Sequence, residues 1–157
     1  MLLDGHGIIH RSYHAMREQP LTVRHTGEVI TAVYGFANTL LSVLQELRPT
    51  HVAVALDKGR LTFRHRLDPT YKAHRVEMPD DLRSQMRRCR ELIEAFGIPI
   101  YEHEEYEADD ILGTLARQAA ERELETYLVS LDSDIAQLVR PGVRLWLYRP
   151  YQRDFVV

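Results

Sequence analysis

Short apolar segments alternate along the chain with longer segments whose apolar residues recur every three or four positions. The short segments predict buried strands, and the longer ones predict amphipathic helices. The predicted strands cover residues 1–4, 51–57, 98–103, 125–131 and 143–149. The predicted helices cover about 7–17, 30–47, 80–96, 108–122 and 134–139, and a polar, basic loop follows the second strand to about residue 78.

Strands that alternate with helices across short connections predict βαβ units. The expected fold class is therefore α/β, with a mostly parallel five-stranded sheet and helices on both faces. No internal repeat, low-complexity run or linker interrupts the pattern, so residues 1–157 are expected to form a single domain.

Composition narrows the function classes. The chain is 45% hydrophobic and 27% charged, as is typical of globular proteins, and its longest structured apolar run, at 52–56, is far too short for a membrane span. A single cysteine, Cys89, excludes an internal disulfide and is typical of a reducing compartment, which predicts a cytoplasmic location. The net charge of −3 argues against non-specific coating of nucleic acid.

The first four predicted strands all end in acidic residues. Carboxyl ends of parallel strands meet at one edge of a sheet, so these side chains are expected to lie together there. They are Asp4, Asp57, Glu107, Asp109, Asp110, Asp132 and Asp134. Carboxylates this close raise one another's pKa values, and divalent cations relieve the repulsion. Oxygen ligands without His or Cys at ligand spacing favour Mg²⁺ or Mn²⁺. The alternative for each aspartate is capping of the next helix.

A basic segment, TFRHRLDPTYKAHR at 62–75, interleaves cations with aromatic residues. Its residues Arg64, Tyr71, Lys72 and Arg75 are candidates for fixing phosphates or stacking on unpaired bases. The alternative is an ordinary charged surface loop. If this part is helical, Lys72 and Arg75 share one face.

Two residues just after the first strand, Arg11 and Tyr13, are further candidates for contacting a substrate at the same edge of the sheet. The alternative for Tyr13 is packing of its ring in the core.

Several stretches together, in order along nearly the whole chain, resemble a known family. LLDGHGIIHRSYHA (2–15), VAVALD (52–57), TFRHRLDPTYKAHR (62–75), YEADDILGTLA (106–116) and SLDSDIAQLV (130–139) are similar to the N-terminal part of the 5′ nuclease domain (5′–3′ exonuclease, flap endonuclease) of bacterial DNA polymerase I and its stand-alone relatives. The most specific are YEADD and the paired aspartates of SLDSD. The resemblance implies a resolvase-like, PIN-like sheet.

The resemblance also implies roles. The seven carboxylates would bind two divalent metal ions, and Lys72 and Arg75 would stand beside the scissile phosphate as catalytic residues. Arg11 and Tyr13 would lie near the 5′ end of the substrate, and residues 62–97 would form a basic loop and a helical arch. The implied partners are DNA with a 5′ single strand or flap and, in a longer parent chain, a C-terminal polymerase region.

Two departures from the family pattern stand out. SLDSD has Leu131 and Ser133 where the family usually has Gly and Lys. Members also continue into a helix–hairpin–helix region with two further aspartates, which these 157 residues lack, so a fragment or a reduced relative is expected.

The leading hypothesis is a metal-dependent 5′ nuclease that hydrolyses phosphodiester bonds at DNA 5′ ends or flaps. The alternatives are a non-catalytic DNA-binding or scaffold fragment of such a nuclease and a small-molecule phosphatase. The basic segment argues against the phosphatase.

Overall fold

A central sheet organises the chain, and its computed structural model describes residues 1–59, 61–74 and 77–147 together with the backbone of 155–156. Within these residues the strands are β1 (Leu2–Asp4), β2 (Ala53–Ala55), β3 (Ile100–Tyr101), β4 (Thr126–Ser130), β5 (Val143–Leu147) and β6 (Phe155–Val156). The helices are α1 (Gly5–Ala15), α2 (Thr31–Leu47), α3 (Phe63–Leu67), α4 (Asp80–Ala95) and α5 (Ala108–Ala120), and Ser133–Leu138 form a 3₁₀ helix.

The strand order is β3-β2-β1-β4-β5-β6, which places β1 between β2 and β4 in the interior of the sheet. Leu3 of β1 stands in register with Val54 of β2 and Val129 of β4. The first five strands run parallel, which confirms the predicted fold class. The short strand β6 pairs antiparallel with β5 and was not predicted.

Helices cover both faces of the sheet, as predicted. Leu3, Val54 and Val129 belong to a buried cluster formed with α1, α2 and α4. Their neighbours Leu2 and Leu128 point the other way, into a second cluster with α5 and the 3₁₀ helix. This alternation follows from the two-residue period of a strand.

Helix α4 lies against the body of the domain. Its residues Leu82, Cys89 and Ile93 are fully buried, and the Gln85 side chain accepts a hydrogen bond of 2.6 Å from the backbone N–H of Ala32 at the start of α2. Gln85 thus satisfies one of the backbone donors that the first turn of a helix leaves unpaired. Residues 80–95, which belong to the stretch expected to form a basic loop and an arch, are packed against α2, and the arch stays a prediction.

Other differences concern short elements. Strands β2 and β3 are shorter than predicted, and residues 134–139, predicted as a short helix, are a 3₁₀ helix at 133–138. The predicted basic loop contains α3, where Thr62 and His65 form a capping box at its start. Among the described residues, no helix combines the length and apolar character that a bilayer crossing requires.

Candidate functional site

The acidic edge of the sheet is built around Asp4, the last residue of β1. Its side chain is almost fully buried, at 4% exposure of the residue. Oδ1 accepts a hydrogen bond of 2.9 Å from the Gly7 backbone, and Oδ2 accepts one of 2.7 Å from the Ser130 hydroxyl. Burial raises the pKa of the Asp4 carboxyl. Ser130 was not predicted as a site residue, although its place at the end of β4, just before two aspartates, is a usable signal.

Asp57 links the neighbouring strand to α5. Its Oδ1 accepts a hydrogen bond of 2.6 Å from the backbone N–H of Ala108, the first residue of α5. Its Oδ2 lies 3.5 Å from Nε2 of His6. The predicted alternative of helix capping is thus realised, but at a helix 51 residues along the chain. His6 was also missed as a site residue; it lies two positions after the strand-end Asp4.

The pKa of Asp109 reflects the charges of the other acidic residues at this edge. Its pKa is raised to about 6, first by burial and then by the charges of Asp4, Asp57, Asp132 and Glu107. Four of the predicted carboxylates, contributed by separate parts of the chain, therefore act on a fifth. Five of the seven predicted acidic residues therefore lie near one another: Asp4, Asp57, Glu107, Asp109 and Asp132.

Internal cations neutralise the other two carboxylates of the YEADD stretch. Arg64 donates two hydrogen bonds to Asp110, of 2.6 and 2.8 Å, and this pairing lowers the pKa of Asp110. Lys72 Nζ donates to both oxygens of Glu107, at 2.8 and 2.9 Å, and the Tyr71 hydroxyl donates to the same carboxylate at 3.2 Å. Metal ions are therefore not needed to balance these two charges in this structure.

The basic segment is consequently folded onto the acidic loop. The Phe63 backbone N–H donates a hydrogen bond of 3.0 Å to the Glu105 carbonyl, and Arg66 pairs with the Glu105 side chain. Lys72 lies in a turn with a left-handed φ of 53°, so the predicted helical face shared with Arg75 is wrong at this residue. Arg75 itself lies outside the described residues.

The two candidates from the first helix are placed differently. Arg11 is exposed on α1. Tyr13 is only 7% exposed and packs in the core, where its hydroxyl donates a hydrogen bond of 2.8 Å to Asp81. Burial and this partner raise the pKa of Tyr13. The structure thus shows the packing of the ring that was the alternative for Tyr13, and its contact with a substrate stays a prediction.

The last two aspartates flank the start of the 3₁₀ helix and are exposed. The Asp132 side chain accepts a hydrogen bond of 2.8 Å from the Asp134 backbone, while the Asp132 backbone donates one of 3.0 Å to the Ser130 hydroxyl. Ser130 thus joins Asp4 to Asp132. Asp134 lines a groove that continues over α5.

No group of three or more His, Cys, Asp or Glu side chains within residues 1–59, 61–74 and 77–147 is arranged to hold a metal ion. The donor chemistry nevertheless fits a hard divalent cation, because the charges of the carboxylates Asp4, Asp57 and Asp132 all act on the carboxyl group of Asp109. Glu107 and Asp110 are engaged by Lys72 and Arg64 of the basic segment.

Comparison with known proteins identifies the family. A family model described as the 5′-3′ exonuclease N-terminal resolvase-like domain matches residues 1–156. DNA polymerase I of Chloroflexus aurantiacus is 48% identical over 151 residues, which cover 96% of this chain and 16% of that protein. DNA polymerase I of Bacillus subtilis is 43% identical over 138 residues, which cover 88% of this chain and 15% of that protein.

Solved structures agree on the fold. A T5 5′-exonuclease structure with bound divalent metal ions (zinc) superposes with a TM-score of 0.67 at 20% identity, covering 93% of this chain and 54% of that one. A T5 flap endonuclease complex with DNA and metal ions gives a TM-score of 0.69 at 19% identity, covering 93% of this chain and 53% of that one.

The chain belongs to the family of 5′-3′ exonuclease N-terminal, resolvase-like domains. The recognition made from the sequence is thereby confirmed. The chain spans about one sixth of the length of the DNA polymerase I relatives it matches.

Proposed function

We propose that this domain forms the catalytic part of a divalent-metal-dependent 5′ nuclease, which hydrolyses phosphodiester bonds at DNA 5′ ends or 5′ flaps. The observation that carries the proposal is that strand-end carboxylates meet at one edge, since Asp4 accepts a hydrogen bond from Ser130 at the end of β4 and Asp57 accepts one from Ala108, the residue before Asp109. A chain of this family has a direct use for such an edge, because carboxylates bind the cations that phosphodiester hydrolysis requires.

The residues proposed to hold the cations are Asp4, Asp57, Glu107, Asp109, Asp110, Asp132 and Asp134. Two ions, Mg²⁺ or Mn²⁺, match this all-oxygen donor set. When bound, such ions supply Lewis-acid chemistry and balance the charge that develops on the phosphate. The metal-bound T5 exonuclease structure supports a divalent cation in a protein of the same fold.

The protein's own cations are proposed to handle the phosphate. Lys72 and Arg64 stand at the acidic edge, held there by Glu107 and Asp110. If cations balanced the Glu107 carboxylate, Lys72 would be released to donate to a phosphate oxygen and to stabilise its developing charge. The same role is proposed for Arg75. Arg64 and Tyr71 remain candidates for contacting the substrate.

Asp4 and Asp57 are proposed to bind the cations and also to fix the geometry of the acidic edge. Asp4 is fixed by Gly7 and Ser130, and Asp57 is fixed by the first turn of α5. These hydrogen bonds hold two carboxylates in defined orientations before any ligand arrives, which lowers the cost of assembling the site.

The wider context is also a proposal. The match to about one sixth of two DNA polymerase I chains supports a parent protein with a C-terminal polymerase region. DNA carrying a 5′ single strand or flap is the proposed partner, as in the T5 flap endonuclease complex. A cytoplasmic location stays a prediction.

The test is cleavage of a 5′-flap DNA by the full-length protein in Mg²⁺. Wild type should release labelled 5′ products, and Asp57→Asn and Asp109→Asn should each abolish cleavage. The control Glu94→Gln removes one exposed acid from the far part of α4 and should cut normally. Retained cleavage in an Asp57→Asn/Asp109→Asn double variant would overturn the assignment. Flap binding in Ca²⁺ without cleavage in Mg²⁺ or Mn²⁺ would favour the non-catalytic alternative.

A further inference from the structure

A groove of about 1120 Å³ extends from the acidic edge over the outer side of α5. Phe63 and Arg64 line one wall, and residues of the 3₁₀ helix line the other. The groove is acidic where α5 begins, at Asp109 and Asp110, and it is basic farther along, at Arg117 and Arg140. This gradient suits a polyanion that reaches the acidic edge at one end only.

Three aromatic rings stand at the acidic end of the groove. The Tyr106 ring centroid lies 5.5 Å from that of Phe63 and 5.0 Å from that of His103, with interplanar angles of 52° and 56°. Neither neighbour stacks in parallel on Tyr106, which is 44% exposed. The hydrogen bond from Phe63 to Glu105 joins the start of α3 to the loop that carries His103 and Tyr106. Tyr106 is therefore a braced, open aromatic surface immediately before the acidic residues.

Two arginines, Arg117 and Arg140, line the basic end of the groove. Arg117 pairs with Glu121 one turn along α5, and both side chains are more than half exposed, so a phosphate can replace this partner at little cost. Arg140 is held by a tight turn, in which the Val143 backbone donates a hydrogen bond of 2.8 Å to its carbonyl and Gly142 takes a φ of 82°. Pro-Gly at the centre of such a turn makes the position of Arg140 rigid.

The length of the groove fits a short strand. Asp110, Thr114 and Arg117 lie on one face of α5, and seven residues of helix span about 10 Å. If the strand keeps the spacing it has in a duplex, about 3.4 Å per nucleotide, about three nucleotides separate the acidic edge from Arg117. An exposed ring beside a cationic track is the pattern by which proteins bind unpaired strands.

We infer that this groove binds a single strand of nucleic acid next to the cleaved bond, with an unpaired base stacked on Tyr106 and phosphates on Arg117 and Arg140. The inference rests on the proposed nuclease function. Tyr106 selects unpaired bases, because a base held in a duplex cannot leave its stack to reach the ring without losing its pairing.

The test is a double-mutant cycle in which Tyr106 is changed in the protein and single bases are removed from the DNA. The measured quantity is the affinity of the full-length protein for 5′-flap DNA in Ca²⁺. Abasic sites are placed one at a time within three nucleotides of the cleaved bond. At one or two positions an abasic site should weaken wild-type binding by about 5- to 100-fold. Tyr106→Ala should weaken binding to intact DNA by a similar factor and should be insensitive to the abasic site. Tyr106→Phe should restore the sensitivity.

Matched control variants distinguish the proposed roles of Tyr106 and Arg117 from the general effect of removing an exposed aromatic or basic side chain. Phe96→Ala removes an aromatic ring of similar exposure, 46%, from the end of α4 that leads into β3, away from the acidic edge, and should bind like wild type. Arg117→Ala should reduce the magnitude of the slope of log affinity against log salt concentration by about 1. Arg122→Ala, which removes an exposed arginine outside the groove lining, should leave this slope unchanged.

The outcomes distinguish the two proposals. If wild type cuts flap DNA but the effect of every abasic site is the same with and without Tyr106, base stacking on Tyr106 is wrong and the nuclease assignment stands. If wild type neither binds nor cuts DNA with a 5′ single strand, both fall.

Discussion

The ion pair between Arg64 and Asp110 joins the basic segment to the first turn of α5, across 46 residues of chain. Two hydrogen bonds of 2.6 and 2.8 Å make it bidentate, and Asp110 also accepts a hydrogen bond of 3.0 Å from the Glu107 backbone. The perturbation is a double-mutant cycle of Arg64→Met, Asp110→Asn and the combined variant, in EDTA.

The magnitude follows from partial burial. The two side chains are 30% and 24% exposed, between the fully exposed and the fully buried cases. Exposed pairs contribute about 0.2–1 kcal/mol, and breaking a buried pair costs about 3–5 kcal/mol. We therefore expect a coupling free energy of about 1–2 kcal/mol. A chain of this size should lose about 2–4 °C in Tm per kcal/mol.

The sign of the pH dependence is set by Asp110, whose pKa is lowered by Arg64. A depressed carboxyl pKa stabilises the fold above the unfolded value of about 3.9, and this contribution is lost as the pH falls through the folded value. The coupling should therefore be constant from pH 5 to 8, should begin to fall near pH 4 and should disappear only below the lowered folded-state pKa of Asp110.

The assay is urea unfolding at pH 7.5, followed by circular dichroism. The matched control is the cycle between Arg66 and Glu105, an exposed pair that joins the same two segments. That coupling should be at most about 0.5–1 kcal/mol. A coupling for Arg64 and Asp110 below about 0.3 kcal/mol, or no larger than the control, would refute the claim that this pair anchors the basic segment.

Three further predictions concern other parts of the domain. Without metal, Asp109→Asn should raise Tm. Because Asp109 ionises near pH 6 when folded and near pH 4 when unfolded, wild type loses stability as pH rises from 4 to 6. A difference in Tm between variant and wild type that is equal at pH 4.5 and 7.5 would contradict this. Cys89, whose thiol is buried with a pKa raised to about 12, should react with a disulfide reagent only as the protein unfolds; fast labelling of the native state would be the opposite result. A Cβ at Gly35 would lie 2.6 Å from Cβ of Ser12, so Gly35→Ala should lower the free energy of unfolding by about 1–3 kcal/mol in urea, and adding Ser12→Gly should recover most of it.

The sequence predicted the sheet and its acidic edge because both have local signatures. Apolar strands ending in Asp4, Asp57 and Asp132 are visible as short patterns, and parallel topology then brings their ends together. The cluster around Asp109 follows from that topology alone.

The rest depends on contacts that no local pattern records. Helix α3 is only five residues long and has a single apolar pair, Phe63 and Leu67, which is too short a pattern for periodicity to detect. The pairing of Arg64 with Asp110 and of Lys72 with Glu107 joins residues 46 and 35 apart, and the sequence therefore left these cations available to phosphate. The hydrogen-bond partner of the buried Tyr13 is Asp81 of α4, which is 68 residues away.

The central claim is that strand-end carboxylates form one centre for divalent cations. The most direct measurement is Mn²⁺ binding by titration calorimetry at pH 7.5. Wild type should bind Mn²⁺, and Asp4→Asn and Asp109→Asn should each weaken binding at least about tenfold, since each removes a charged ligand. The control Glu104→Gln removes an acid whose side chain is 79% exposed and should leave binding unchanged. No Mn²⁺ binding by wild type, or equal affinity in Asp109→Asn and Glu104→Gln, would contradict the account.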